Sequence, residues 1–183
     1  VLTSADTKAQ EVYLKAFQEC FPGYGVVGEE DSLFIQPGGG EEGFYFTVDP
    51  LDGTKAYIRR QSHGVGTMVA LVHKGEVVSA YVGDINTEEV YGYRPDSDNV
   101  HRITRLDTAE RMALGNGRSF AESYALLRDP VHPYSQSAQS LTSRFRGYEV
   151  IGSSIGIWAA QLWKGEVGAL FLNPGMETPW DTT

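Results

Sequence analysis

Phe44-Tyr45-Phe46-Thr47-Val48-Asp49-Pro50-Leu51-Asp52-Gly53-Thr54 decides how the rest of this sequence is read. Its first six residues alternate, with Phe44, Phe46 and Val48 on one side and Tyr45, Thr47 and Asp49 on the other, which is the period of a β-strand. The strand delivers Asp49 to its end, where loops carry chemistry. The turn that follows has two readings. In one it is only a tight turn, in which Pro50 fixes one φ angle, Gly53 supplies another and an Asp caps the next helix. In the other, Asp49 and Asp52 converge on hard cations, with the Leu51 carbonyl as a further oxygen donor. Convergent carboxylates without a cation repel each other, so metal gives such a turn its purpose. Gly53 and Thr54 then open a helical turn towards Tyr57 that aims backbone N–H groups at whatever sits beside the metals, forming a phosphate cradle.

Outward from this turn, strands and helices mix. Upstream, Ala9, Val12, Tyr13, Ala16, Phe17 and Cys20 recur at spacings of three and four, predicting a helix over Ala5 to Phe21 that Pro22-Gly23 ends. Downstream, Val65 to His73 and Glu76 to Val82 flank Lys74-Gly75 as a hairpin, with a third antiparallel strand at Glu89 to Tyr93. Asp96 to Thr108 is polar and without pattern. A strand is expected at Met112 to Leu114, helices near Phe120 to Arg128 and Ala138 to Arg144, and a strand at Tyr148 to Ile151. A helix from Ser154 to Lys164, with Ile155, Trp158, Ala159 and Leu162 on one face, precedes a strand at Val167 to Leu172. Hairpins among helices fit a layered α/β sandwich better than a purely parallel wound sheet.

The chain has 183 residues, 41% of them hydrophobic, enough for one domain with a real core. A single cysteine, Cys20, leaves no internal disulfide or CxxC motif and points to a reducing compartment. His63, His73, His101 and His132 are too dispersed to mark a zinc centre. The amino terminus turns polar within three residues and no apolar run approaches bilayer length, so the expectation is a cytoplasmic chain with no membrane partner. A formal charge of −9 argues against binding a nucleic acid polymer. It is compatible with a small phosphorylated metabolite if divalent cations neutralise some carboxylates, and equally with solubility alone.

Two strings imitate other chemistry. Gly23-Tyr24-Gly25-Val26-Val27-Gly28 satisfies GxGxxG but runs into Glu29-Glu30-Asp31, where a dinucleotide's pyrophosphate would be repelled. Gly152-Ser153-Ser154-Ile155-Gly156 satisfies GxSxG between an expected strand and helix, yet every histidine precedes Ser154, so the base of a Ser-acid-His order is missing. Helix capping by Ser153 or Ser154 is the simpler reading.

Taken together, Gly28-Glu29-Glu30, Asp49-Pro50-Leu51-Asp52-Gly53-Thr54, Gly152-Ser153-Ser154 and Trp180-Asp181, in this order, resemble the lithium-sensitive inositol monophosphatase superfamily. That superfamily includes 3′(2′),5′-bisphosphate nucleotidases and fructose-1,6-bisphosphatase-like enzymes. The resemblance implies an α-β-α-β-α sandwich formed by one domain over 1–183, with a first lobe over roughly 1–110 and a second beginning at roughly 111. It implies that Glu29, Asp49, the Leu51 carbonyl, Asp52 and Asp181 hold about two or three Mg²⁺ ions. Gly53 and Thr54 would hold phosphate, and Ser153 and Ser154 would touch the rest of the substrate. Glu29 and Thr54 would orient the attacking water, Glu29 accepting its proton, with no covalent phosphoenzyme. Glu30 and Asp6 would stand behind these residues. Thr3-Ser4-Ala5-Asp6 looks like the family's T-x-x-D stretch, which places Asp6 near Thr54; a helix-capping box between Thr3 and Asp6 is the other reading. Members carry a helix before that stretch and further sheet and helix after the WD, so the chain reads as truncated at both ends.

The substrate is left open. Lys55, Tyr57 and Pro174-Gly175 look like the bisphosphate nucleotidase branch. Against it, Ile155-Gly156-Ile157 lacks that branch's lysine, and no acidic residue between Leu170 and Pro179 clearly matches the one inositol enzymes use. The expected activity is therefore hydrolysis of an inositol monophosphate or a related polyol, sugar or nucleotide phosphate. A non-catalytic metal- and phosphate-binding domain is the alternative. Dimers are common in the superfamily, which makes a homodimer one possible assembly.

Overall fold

The computed structural model describes residues 2–38, 43–95, 99–113 and 117–173. Asp181 and its neighbour Trp180 lie outside the described residues.

In chain order the elements are α1 (Ser4–Cys20), β1 (Gly25–Gly28), β2 (Phe34–Ile35), β3 (Phe44–Asp52), α2 (Thr54–Ile58), β4 (Gly66–His73), β5 (Glu76–Asp84), β6 (Glu89–Tyr93), β7 (His101–Thr104), β8 (Thr108–Arg111), β9 (Tyr124–Leu127), α3 (Gln136–Thr142), β10 (Gly147–Val150), α4 (Ile155–Trp163) and β11 (Ala169–Phe171). An eight-stranded sheet runs β2-β1-β3-β4-β5-β6-β7-β8, and a three-stranded sheet runs β10-β9-β11. In the first, only the β1–β3 pair is parallel. The second is wholly parallel.

Alternation along β4 sorts the layers. Val69 and Leu71 point to the side where Phe17 of α1 packs with Phe46 and Val48. Met68 points to the other side, against Ile157 of α4 and Val82. Phe17 and Phe46 stack with ring centroids 4.1 Å apart. Burying each such ring is worth about 2–3 kcal/mol. Helix α4 also touches β11, so it fills the space between the sheets. On the far side of the small sheet, Ala138 and Leu141 of α3 pack with Ala125, Leu127 and Phe171. The resulting order, α1, large sheet, α4, small sheet, α3, is the expected layered sandwich. Among the described residues no helix is long and apolar enough to cross a membrane.

Three expectations change. The helix expected near Phe120 to Arg128 is a 3₁₀ turn, Phe120–Glu122, followed by strand β9. Ala125, Leu126 and Leu127 are all buried, because a central parallel strand is covered on both faces and so loses the alternation that marks a strand. Met112 and Ala113 of the strand expected at Met112 to Leu114 are not in a strand, Leu114 lies outside the described residues, and a strand stands earlier, at Thr108–Arg111; the described part of the stretch from Asp96 to Thr108 contains β7. Strands β7 and β8 form the sheet's edge. Their residues are half-buried or exposed, so backbone pairing rather than an apolar face makes them strands. Finally, Gly25–Gly28, part of the misleading glycine string and not expected as a strand, is strand β1 beside β3.

Candidate active site

Alternation along β3 would place Asp49 and Asp52, an odd number of residues apart, on opposite faces of the sheet. The ladder prevents this. Asp49 pairs with Met68 and Asp52 with Gly66, so β3 spends one more residue than β4 over this step. Such an irregularity is a β-bulge. Met68 and Gly66 share a face, and both carboxylates therefore turn to the side of α4. Both are buried, Asp49 4% and Asp52 8% exposed.

Each carboxylate has its own fixture. Asp49 Oδ1 accepts from the Leu51 amide at 3.0 Å. Asp52 Oδ2 accepts from Ser154 Oγ at 2.5 Å and from the Gly156 amide at 2.8 Å, both at the start of α4. A helix amino terminus favours a carboxylate there, since its first N–H groups lack intrahelical partners.

Glu29 arrives by a different route. The parallel pairing of β1 with β3 sets Gly28 opposite Val48, and the Glu29 amide donates to the Val48 carbonyl at 3.1 Å. The acidic loop is tied to α1 by Gln10, whose side-chain amide donates to the Glu30 carbonyl at 3.0 Å and accepts from the Glu30 amide at 3.1 Å. Gln10 is buried, and no motif marked it in the sequence. A Cβ at Gly28 would stand 2.5 Å from Gln10 Oε1, so this glycine makes room for the clamp.

Electrostatics register the crowding. Burial, then the charges of Asp52 and Glu29 and a hydrogen bond with Glu29, push the Asp49 carboxyl up to about 9. Burial, then Asp6, Glu29 and Asp31, push Glu30 to about 7. Among the described residues no cationic side chain forms an ion pair with Asp49.

Gly53 follows with φ +91°, a conformation that favours glycine. A Cβ there would lie 2.3 Å from the Gly64 carbonyl oxygen and 3.1 Å from the Ser154 amide nitrogen. The Gly152–Ser154 turn thus rests on the Gly53 turn, joined by a hydrogen bond from the Ser154 amide to Gly64 O at 3.1 Å. Thr54 Oγ1 lies 3.1 Å from Asp6 Oδ1 and 3.2 Å from the Leu51 carbonyl, either of which can take its proton. Asp6 meets both of its readings at once: one oxygen accepts from Thr54, and the other from the amide and hydroxyl of Thr3 in a capping box. Of the two readings of Ser154 the structure shows the helix cap: fully buried, its Oγ accepts from the Ile157 amide and donates to Asp52. Ser153 Oγ accepts from Trp158 Nε1 at 2.9 Å.

The described donors, carboxylates and a backbone carbonyl, are hard oxygens suited to Mg²⁺, and a cation would relieve the repulsion on Asp49. Among the described residues no three His, Cys, Asp or Glu side chains are grouped closely enough to hold a metal alone. The site brings together Glu29, Asp49, Asp52, Thr54 and the Gly152–Ser154 turn, with Asp6 and Glu30 behind them.

A model of the inositol monophosphatase family matches residues 1–182. Among curated proteins, the chain is 33% identical over 112 residues to Nus factor SuhB of Xylella fastidiosa, covering 61% of this chain and 38% of that protein. It is 25% identical over 158 residues to Nus factor SuhB of Pseudomonas aeruginosa, covering 84% and 56%. It is 30% identical over 115 residues to an inositol-1-monophosphatase of Rhizobium meliloti, covering 63% and 42%. These matches span between 38% and 56% of the relatives' own lengths. The fold is similar to that of a Staphylococcus aureus inositol monophosphatase family protein, with a TM-score of 0.74 at 18% identity over 98% of this chain and 63% of that one. It is also similar to a dual specific IMPase/NADP phosphatase bound with D-inositol-1-phosphate, with a TM-score of 0.72 at 19% identity over 98% and 66%. The same type of phosphatase complexed with Mg²⁺ and phosphate gives 0.70 at 19% identity over 98% and 64%.

Proposed function

The chain belongs to the inositol monophosphatase family, and from that premise we propose that its parent protein is a Mg²⁺-dependent phosphomonoesterase acting on a small phosphorylated metabolite. The observation that carries this reading is the bulge in β3, which turns two buried carboxylates to one face beside a helical turn opened by glycine. A fold spends such electrostatic repulsion where a cation offsets it.

Glu29, Asp49, Asp52 and the Leu51 carbonyl would hold the metal, joined by Asp181 from outside the described residues. Bound there, Mg²⁺ supplies positive charge for the phosphate and leaving oxygens and lowers the pKa of water. The chain's own residues do the rest. Amides of Gly53 and Thr54 receive phosphate oxygens. Thr54, with its proton given to Asp6 or the Leu51 carbonyl, offers a lone pair to a water proton and so aligns that water for in-line attack. Glu29 accepts the proton. Asp6, held by Thr3, offers the Thr54 hydroxyl one of its two acceptors. Ser154 and Gly156 hold Asp52 in place, and Ser153 would touch the remainder of the ester.

Hydrolysis of inositol 1-phosphate and p-nitrophenyl phosphate by the full-length protein tests this, with turnover expected only when Mg²⁺ is present. Turnover of no ester at any Mg²⁺ concentration would overturn it. Lithium inhibition is expected from the family alone. A second reading, a domain that binds a partner without catalysis, draws support from the two relatives named Nus factor SuhB. Mg²⁺-dependent turnover that disappears in Asp49→Asn would decide against it.

A further inference from the structure

Three strand ends meet at the carboxyl edge of the small parallel sheet. Arg128 follows β9, Ser153 lies in the turn after β10, and Asn173 lies just beyond β11. The carboxyl edge of a parallel sheet is where ligands of α/β proteins are received, because the strands end there together and their loops diverge. Strand β9 is the middle one, which puts Arg128 between the other two.

The Arg128 guanidinium is held rather than loose. Its Nη1 donates to the Ser153 carbonyl at 2.8 Å, and its carbon lies 5.9 Å from the centre of the Trp158 ring. Trp158 is itself fixed by its hydrogen bond to Ser153 Oγ. The peptide joining Ser153 to Ser154 thus has two opposed engagements. Its carbonyl accepts from Arg128, and its N–H donates to the Gly64 carbonyl beside the Gly53 turn. In a trans peptide these groups point in opposite directions, so one peptide unit separates the guanidinium from the edge of the proposed phosphate cradle.

Arg128 is half-buried and has no carboxylate within ion-pair distance among the described residues. The acid next to it in sequence is engaged elsewhere, since Asp129 Oδ2 accepts from Asn173 Nδ2 at 2.8 Å. A guanidinium carries five N–H donors in a rigid fork, and one contact with a carbonyl leaves most of that fork available. Such a fork is matched bidentately by a phosphate or a carboxylate, two oxygens to two N–H groups, and in a site that already receives one phosphate a second phosphate is the group in question.

We propose that Arg128 is a specificity residue of this site, receiving a second phosphate of the substrate on the far side of the Ser153–Ser154 peptide from the phosphate that is cleaved. The preferred ester is then a bisphosphate rather than a monophosphate of a neutral polyol. This rests on the phosphatase reading, and the binding measurement below separates the two.

The test compares 3′-phosphoadenosine 5′-phosphate with adenosine 5′-phosphate, which differ by one phosphate, as ligands of the full-length protein by titration calorimetry with Ca²⁺ in place of Mg²⁺, after a control that the bisphosphate survives the titration intact. Wild type is expected to bind the bisphosphate about tenfold or more tightly, a preference that Arg128→Gln erases and Arg128→Lys restores in part. In turnover, Arg128→Gln is expected to raise KM for the bisphosphate about tenfold more than KM for inositol 1-phosphate. An equal loss for both substrates would mean that Arg128 only braces the Ser153 carbonyl, and would overturn the proposal. So would a wild type without the bisphosphate preference, or a preference that survives in Arg128→Gln. A preference that needs Arg128 in a protein that hydrolyses neither ester would leave the specificity site standing and remove the phosphatase reading.

Discussion

Strands β3 and β6 of the same sheet each carry a carboxylate out of solvent, and the two are handled in opposite ways. Glu89 on β6 has its side chain 13% exposed. Burial would raise its pKa, but hydrogen bonds from Arg102 and Tyr91 hold it below the ordinary range. Lys164 stands over the Tyr91 ring at 5.4 Å, so the cluster is closed by the protein's own cations. Asp49 on β3 is more deeply buried, and its neighbours Asp52 and Glu29 add to the penalty instead of offsetting it. A carboxylate that the chain neutralises itself is part of the scaffold. One whose surroundings push it up to about 9 is left without such compensation by the described residues, which is what the proposed metal role of Asp49 would require.

The strongest way to break this contrast is Asp49→Asn. Turnover should fall by orders of magnitude, while the melting temperature without metal stays level or rises, because an amide of the same shape removes buried repulsion. Near-normal turnover in that variant would refute the role given to Asp49.

Next in size is a linkage between pH and metal. With a reference pKa of 3.8 and a folded value of about 9, the folded protein keeps on Asp49 a proton that the unfolded chain releases. The contribution of Asp49 to the stability of the metal-free protein is therefore full below the lower value and declines as pH rises towards the higher one. In the proposed site Mg²⁺ would take the proton's place, so its stabilising effect should grow across the same window and shrink in Asp49→Asn. Thermal unfolding with and without Mg²⁺ over that range checks the sign, and a Mg²⁺ effect that weakens with rising pH would contradict it.

Ser154→Ala sharpens the comparison at the second carboxylate. It removes a helix cap worth about 1 kcal/mol and a hydrogen bond that holds Asp52 Oδ2. The expected outcome is about a tenfold fall in kcat together with weaker activation by Mg²⁺, measured by titrating the metal in the assay.

The smallest effect belongs to the scaffold cluster. Arg102 is 41% exposed, so Arg102→Met should cost only about 1 kcal/mol, or about 2–4 °C in melting temperature, with kcat and KM unchanged. Altered kinetics there would show that the two acid clusters are not independent.

How much of this could be read from residues alone depended on whether the signal was local. Helix α1, the β4–β5 hairpin and helix α4 fall within two residues of their expected bounds, because apolar period and turn residues specify them locally. The edge strands β7 and β8 had no such signal, and β9 hid behind a continuous apolar run. At the site, the acidic motifs were visible as strings. The clamp of Gln10 on Glu30 and the hold of Ser154 on Asp52 join residues 20 and 102 positions apart, and nothing in the sequence announces either pairing.

The sequence by itself determined which groups the site could contain: paired acids around Pro50, a glycine free to take a positive φ angle, and hydroxyls at two helix starts. Only the tertiary structure decided that the acids face one another. Strict alternation would have separated Asp49 from Asp52. The bulge against β4 returns them to a common face, the parallel register of β1 lays the Glu29 backbone against Val48, and the amino terminus of α4 fixes Asp52. Residue types fix what chemistry is available, whereas register and packing, which are properties of strand pairs and layers, fix where charge accumulates.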